Sequence, residues 1–274
     1  MIGNKSKMST KKYIRDKLFP TILCPGCGHG IVMGSLVRAV ENLEIDKNDI
    51  VAVSGIGCSS RICEYLDFHT LHAIHGRAIV CGTIVKFCRP ELKVFVAIGD
   101  GDACAIGGNH LIHAARRNID ITVIIMNNNI YGMTGGQYSP LTGYGDLATT
   151  TPYGNIDGSF DIVKLMMGAG ASFVARTTTY HVASMIKIME KAMSHKGFAV
   201  VEVFSQCPTY YGRKNKLGSA VDMLNYYKNF TTPIGSKKKE KNPELIERGI
   251  FVQKEMREYC DEYEKVIRIA SQER

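Results

Sequence analysis

An aspartate between two glycines, Gly99-Asp100-Gly101, is where residue type and spacing in this sequence first suggest chemistry. The carboxylate is a hard oxygen ligand of the kind magnesium takes, and the glycines let the backbone turn sharply and approach a ligand closely. One helix and one strand later stands Asn127-Asn128-Asn129-Ile130-Tyr131, which offers a side-chain amide and a nearby carbonyl. One carboxylate, one amide, one carbonyl, two diphosphate oxygens and a water would complete an octahedron around magnesium. A helix entered near Ala105 would turn free backbone N–H groups toward a phosphate. Gly-Asp-Gly by itself is as easily a plain turn. Its pairing with the asparagines is what supports a metal–diphosphate site.

Cysteine is the second chemical signal. Cys24-Pro-Gly-Cys27 precedes an expected helix, Cys58 lies in Gly55-Ile-Gly-Cys-Ser-Ser-Arg61, and Cys207 lies in Ser205-Gln-Cys-Pro-Thr. A C-x-x-C pair suits half of a zinc knuckle, a redox dithiol or half of an iron–sulfur site. A thioredoxin-like dithiol would need a preceding strand, and none is expected there. The residues alone leave zinc and iron–sulfur both open. Cys63, Cys81, Cys88 and Cys104 fall in apolar or helical runs and read as small core residues. Cys260 has no evident partner.

These residues need a scaffold that gathers them. Short apolar runs predict strands at Ile50–Ser54, Lys93–Ile98, Ile121–Met126 and Ala199–Phe204, with a shorter one at Ser172–Arg176. Helical patterns lie near Gly30–Leu43, Gly76–Phe87, Ala105–Arg117, Phe160–Met167 and Tyr180–His195. The alternation predicts an α/β fold, a mostly parallel sheet with helices on both faces. In such a sheet ligands bind outside the carboxyl ends of strands. That is where Gly99, Asn127, Cys58 and Cys207 all fall. The organisation expected is an N-terminal segment (1–23), an α/β domain (24–206) and a C-terminal extension (207–274). In the extension a charged helix is expected over Phe251–Ile269.

Composition narrows the class. The 274 residues carry a formal charge of +8, concentrated in Lys5–Lys17 and Ser236–Lys241, without the aromatic interleaving of a nucleic-acid surface. The basic surface could instead meet an acidic electron carrier or acidic substrates. No apolar run is long enough to span a membrane, and the N-terminus lacks a signal-peptide core. A cytoplasmic protein that binds neither nucleic acid nor membrane is expected. Nine cysteines there favour metal or redox chemistry over disulfides.

The spacing from Gly99-Asp-Gly to Asn127-Asn resembles the thiamine-diphosphate signature, and Tyr131-Gly-Met-Thr-Gly-Gly-Gln137 narrows the resemblance to beta subunits of 2-oxoacid:ferredoxin oxidoreductases. It covers roughly Cys24 to Arg213, with a similar tail, and is strongest for the 2-oxoglutarate group. The resemblance implies a thiamine-diphosphate-binding fold of the pyrophosphate-binding type. It makes Asp100, Asn128 and the Ile130 carbonyl the Mg2+ ligands. Gly57, Cys58, Ser59, His75, Gly76, Gly99, Gly101, Asp102, Tyr131, Gly132 and Thr134 would lie against the cofactor, with Asp102 beside the metal shell. Gly135, Gly136 and Gln137 would shape the same end. Cys24, Cys27, Cys58 and Cys207 would hold a 4Fe–4S cluster. Arg61 would meet the carboxylate of the 2-oxoacid, although a plain surface arginine fits the sequence equally well.

The implied reaction is coenzyme A-dependent oxidative decarboxylation, with ferredoxin as electron acceptor. The chain is too short for a second α/β domain. An alpha subunit would therefore bring the pyrimidine-binding domain and the activating glutamate, and gamma and delta subunits are further partners. Pyruvate or a branched-chain 2-oxoacid is an alternative substrate. A cluster-free thiamine decarboxylase and a zinc-binding interaction protein are the alternative classes.

Overall fold

The computed structural model describes residues 10–272, so the first part of the basic Lys5–Lys17 stretch lies outside the described residues. In chain order the strands are β1 (Ile50–Ser54), β2 (His69–His72), β3 (Lys93–Gly99), β4 (Thr122–Asn127), the short pair β5 (Ile130–Tyr131) and β6 (Gln137–Tyr138), β7 (Phe173–Thr178), β8 (Ala199–Phe204), β9 (Thr231–Pro233) and β10 (Ile246–Gln253). The main sheet runs β2-β1-β3-β4-β8-β7-β10-β9. All its pairings are parallel except β10 on β7.

The central strands are runs of Val, Ile, Ala and Met buried along their whole length, because helices cover both sheet faces. On one face α1 (His29–Asn42), the short α2 (Ile62–Tyr65) and α6 (Val182–Ser194) enclose a core that includes Leu36, Phe95, Phe173 and Met189. On the other, α3 (Ala78–Cys88), α4 (Gly108–Arg117) and α5 (Ile162–Gly168) enclose Val96, Leu111, Ile125 and Phe198. Each such side chain contributes about 1.5–3 kcal/mol on burial. That burial fixes the strand ends in space.

The expected strands and helices are present, with ends moved by one to three residues, and three elements differ. Residues 102–106 form a π-helical turn before α4, a local widening common at functional sites. His69–His72, where the sequence predicts no element, is the exposed edge strand β2. Within the C-terminal extension, Phe251–Gln253 end β10, and the charged helix starts only at Tyr259 as α9 (Tyr259–Gln272). The open edge of β7 offers Gly249–Gln253 a ladder of hydrogen bonds that a helix there would forgo. Before it the extension carries α7 (Ala220–Phe230), started by a Ser219–Asp222 capping box, and α8 (Lys237–Lys241). No described helix is long and apolar enough to cross a membrane.

Candidate functional site

Strands β1, β3, β4 and β8 are adjacent, and the chain order reverses between β1 and β3, since β2 lies outside β1. The carboxyl ends at that reversal form the natural crevice of a parallel sheet. A cavity of about 200 Å³ opens there. Its walls are His29, Ile56, Gly57, Cys58, Ser59, His75, Gly99, Asp100, Gly101, Asp102, Asn128, Ile130, Tyr131, Gly132, Met133 and Thr134. The residues expected against the cofactor line it except Gly76, whose N–H meets Asp102; Gly135, Gly136 and Gln137, expected to shape the same end, are not on its wall.

Asp100 is 3% exposed. Ser139 Oγ donates to its Oδ2 at 2.5 Å, but among the described residues it has no cationic partner. Burial pushes its pKa up to about 7, and the nearby Glu202 charge adds to the rise. A buried carboxylate held without a counter-charge fits a divalent cation. Asn128 enters the same cavity from the β4 end, its Oδ1 accepting from the Ile130 N–H at 3.2 Å. Asn129, with φ of 60°, makes the sharp left-handed step that this turn needs.

Asp102 ties three loops together. Its Oδ1 accepts the Gly76 N–H at 2.5 Å and lies 2.6 Å from His75 Nδ1. Its Oδ2 is buried without a hydrogen-bond partner among the described residues. Burial raises this carboxyl, while the Gly76 amide and His75 hold the rise back. A Cβ at Gly55 would stand 1.7 Å from Oδ2, so the loop after β1 closes on Asp102 only with glycine there. Gly57 takes φ of 119° with open space where a Cβ would point, a backbone that can lie flat against a ligand. Tyr131 Oη donates to the Gly101 carbonyl at 3.2 Å and joins the two halves.

A second cavity, about 230 Å³, shares Cys58, Asn128, Gly132 and Met133 with the first. Cys24, Cys27, Cys58 and Cys207 all line it, as does Arg61, which pairs with Glu64 at 2.5 Å. A Cβ at Gly132 would lie 3.6 Å from Cys58 Sγ and 3.7 Å from Cys207 Sγ. Burial, with the other three thiols adding to it, pushes the Cys27 thiol up to about 12. Among the described residues no three His, Cys, Asp or Glu side chains close on one point as a single ion requires. Four thiols lining one cavity are a donor set that suits an iron–sulfur cluster as well as zinc.

The Cys207 segment is itself followed by a π-helical turn, Pro208–Gly212. It is tied to the C-x-x-C loop by Gly28 N–H to the Gln206 carbonyl at 3.0 Å and Gln206 Nε2 to the Gly26 carbonyl at 3.1 Å. His29, 1% exposed, stands between the cavities with Nδ1 2.8 Å from Ser205 Oγ, and burial lowers its pKa to about 4.

Of the remaining cysteines, Cys63 and Cys104 are buried as expected, whereas Cys81 is half-buried and Cys88 exposed on α3. The buried polar network behind the asparagine turn had no sequence signal beyond its residue types. Arg176 of β7 donates to Glu202 of β8 and to Asp161 at the start of α5, and Glu202 accepts from Asn127. Charged residues inside otherwise apolar strands are the one hint the sequence carries.

Comparison with known proteins agrees with this geometry. The family profile "Thiamine pyrophosphate enzyme, C-terminal TPP binding domain" matches residues 55–203. The 2-oxoglutarate synthase subunit KorB of Methanocaldococcus jannaschii is 49% identical over 259 residues, 93% of this chain and 96% of that protein. The 2-oxoacid:ferredoxin oxidoreductase subunit beta of Saccharolobus solfataricus is 40% identical over 189 residues, 68% of this chain and 62% of its own. A solved 2-oxoglutarate:ferredoxin oxidoreductase from Magnetococcus marinus, with 2-oxoglutarate, coenzyme A and succinyl-CoA bound, superposes with a TM-score of 0.88 at 33% identity. That match covers 97% of this chain and 92% of the other.

Proposed function

Because the chain belongs to the beta subunits of the 2-oxoglutarate synthase group of 2-oxoacid:ferredoxin oxidoreductases, we propose that it carries the thiamine diphosphate, Mg2+ and 4Fe–4S sites for oxidising 2-oxoglutarate to succinyl-CoA. The observation behind this reading is the wall common to the two cavities: a buried metal-competent carboxylate on one side, four thiols on the other.

Thiamine diphosphate, when bound, supplies the electron sink that lets a 2-oxoacid lose carbon dioxide. This chain's residues would hold and orient the reactants. Asp100, the Asn128 amide and the Ile130 carbonyl would grip Mg2+ and, through it, the diphosphate. Gly57, Gly99 and Gly101 would let backbone lie against the cofactor, with Ser59 packed close to Gly99 and His75, Tyr131 and Thr134 on the cavity wall. Cys24, Cys27, Cys58 and Cys207 would bind the cluster that passes electrons singly to ferredoxin, while coenzyme A takes the acyl group. Arg61, on the cysteine side, would pair with a substrate carboxylate through its planar fork.

The site requires a partner. No glutamate is among the described residues lining the cofactor cavity. Around and near its mouth, Ile56, Ile74, Ile106 and Met133 are exposed apolar side chains that a covering subunit would bury. The partner we propose is an alpha subunit carrying the pyrimidine-binding domain and the activating glutamate, with gamma and delta subunits as further members.

Anaerobic purification of the complex tests this. Iron, sulfide and thiamine diphosphate are assayed in the complex and in the separated chain. Viologen reduction is then followed with 2-oxoglutarate, pyruvate and branched-chain 2-oxoacids plus coenzyme A. Cofactor and cluster in this chain, and fastest turnover with 2-oxoglutarate, are expected. Iron that stays with the partner after separation, or stoichiometric zinc at the four cysteines, overturns the cluster assignment. Preference for another 2-oxoacid overturns the substrate.

A further inference from the structure

We infer that the Asp161–Arg176–Glu202–Asn127 chain, buried from Arg176 inward, is a positioning device that sets the turn delivering Asn128 to the cofactor. The inference rests on the thiamine–magnesium reading above and adds residues which that reading does not use.

The chain of contacts runs without a break from the start of α5 to the site. Asp161 caps α5 by accepting from the Val163 and Lys164 N–H groups. Its Oδ1 also accepts from Arg176 Nη2 at 2.6 Å. Arg176 Nε donates to Glu202 Oε2 at 2.6 Å, and Glu202 Oε1 accepts from Asn127 Nδ2 at 2.8 Å. Asn127 Oδ1 then accepts the Asn129 N–H at 3.1 Å. Both ends of the Asn127 side chain are thus engaged, one by the network and one by the turn. Asn128, between these two anchored residues, faces both cavities.

The location argues for geometry over stability. Glu202 is 1% exposed and Arg176 7%. Desolvating two charges so deeply takes back much of their attraction, and well-packed apolar residues of similar size are often at least as stabilising. The guanidinium is further fixed between the rings of Phe204 and Phe251, 5.4 and 5.8 Å from their centroids. Phe251 belongs to β10, so the C-terminal strand reaches the cofactor turn through Arg176. A metal ligand with groups fixed in this manner needs no rearrangement when the ion arrives.

Two variants separate positioning from folding. Asn127→Ala cuts the link to the turn and leaves the Arg176–Glu202 pair in place. The double variant Arg176→Met with Glu202→Leu removes both buried charges together and leaves the partly exposed Asp161 with the α5 N–H groups it caps. Each is made in the full chain within its complex. Thiamine diphosphate affinity at saturating Mg2+ is measured by calorimetry, beside the thermal midpoint and iron content. Expected for both is a loss of about 10–100-fold in Mg2+-dependent affinity, the usual effect of removing a partner behind a metal ligand, with iron unchanged. A double variant that folds with near-parental stability and binds the cofactor as tightly as the parent overturns the inference. So does an Asn127→Ala protein of undiminished affinity. A parental complex that binds no thiamine diphosphate overturns the cofactor reading itself, and the inference with it.

Discussion

The cofactor cavity and the cysteine cavity meet at Cys58, Asn128, Gly132 and Met133, yet their construction differs. Around the first, the polar groups are already held by the fold: Asp100 by Ser139, Asp102 by Gly76 and His75, and Asn127 by Glu202. Around the second, four thiols come from segments as far apart as Cys24 and Cys207. The bonds that join those segments run through backbone and Gln206, not through the sulfurs. The Cys27 thiol, raised to about 12, is protonated at neutral pH without a metal. The cofactor side is therefore preorganised, whereas on the reading proposed above the cysteine side would gain its final order only on binding a metal.

The sharpest way to break that comparison is to disable one side at a time. Asp100→Ala should reduce Mg2+-dependent thiamine diphosphate affinity by more than about 100-fold, beyond the range for partners behind a ligand. Iron content should stay at the parental level. Cys207→Ala should bleach the cluster's visible absorbance while calorimetry finds cofactor affinity unchanged. If either change emptied both sites, the two cavities would be one cooperative unit and the contrast would fail.

Acidity should distinguish the two next. The folded pKa of Asp100, about 7, lies above its ordinary value of 3.8, so the metal-free fold gains stability from the bound proton. That gain is complete below about pH 4 and is lost as pH rises through about 7. Mg2+ competes with the same proton, so its affinity should fall about tenfold per pH unit below about 7. Calorimetric titration across that range checks the slope. A pH-independent affinity would show that Asp100 is not the ligand.

A smaller effect is expected at Gly55. Alanine there drives a Cβ into the Asp102 carboxylate and must shift the loop after β1, at about 1–3 kcal/mol of unfolding free energy. Urea unfolding of the metal-free chain measures it. Equal stability of parent and variant would mean that Asp102 does not clamp the loop.

The cofactor side was the more legible in sequence for the same physical reason. Gly99-Asp-Gly and Asn127-Asn are short, local signals at the ends of apolar runs, and a parallel sheet brings consecutive strand ends together. The cysteines could be listed from sequence, but only the folded chain shows Cys24 and Cys207 on one cavity. Arg176, Glu202 and Asp161 escaped notice because pairing between β7 and β8 is a tertiary fact, invisible to periodicity. β10 was misjudged over Phe251–Gln253 because a strand completing another strand's edge follows its partner more than its own pattern. Strand β2 likewise carries no apolar pattern over His69–His72: it is exposed throughout, and of His69, His72 and His75 only His75 reaches the cofactor cavity.

Arg61 gives the finest test, because its side chain belongs to the cysteine cavity and not to the cofactor cavity. Its pairing with Glu64 is roughly one-third exposed on either side, so losing it should alter stability by less than about 1 kcal/mol. Its five donors are not all used by Glu64, and the residue lines the same cavity as Cys58 and Asn128. A substrate carboxylate bound there would lie next to both cavities, where an acid must sit if electrons are to cross. Arg61→Gln should therefore raise the KM for 2-oxoglutarate about tenfold, the scale of one charge-assisted hydrogen bond. Thiamine diphosphate affinity, iron content and thermal midpoint should stay near parental. A changed kcat with unchanged KM would place Arg61 on the electron path and not on the substrate. Loss of iron would make it a support of the cysteine loop.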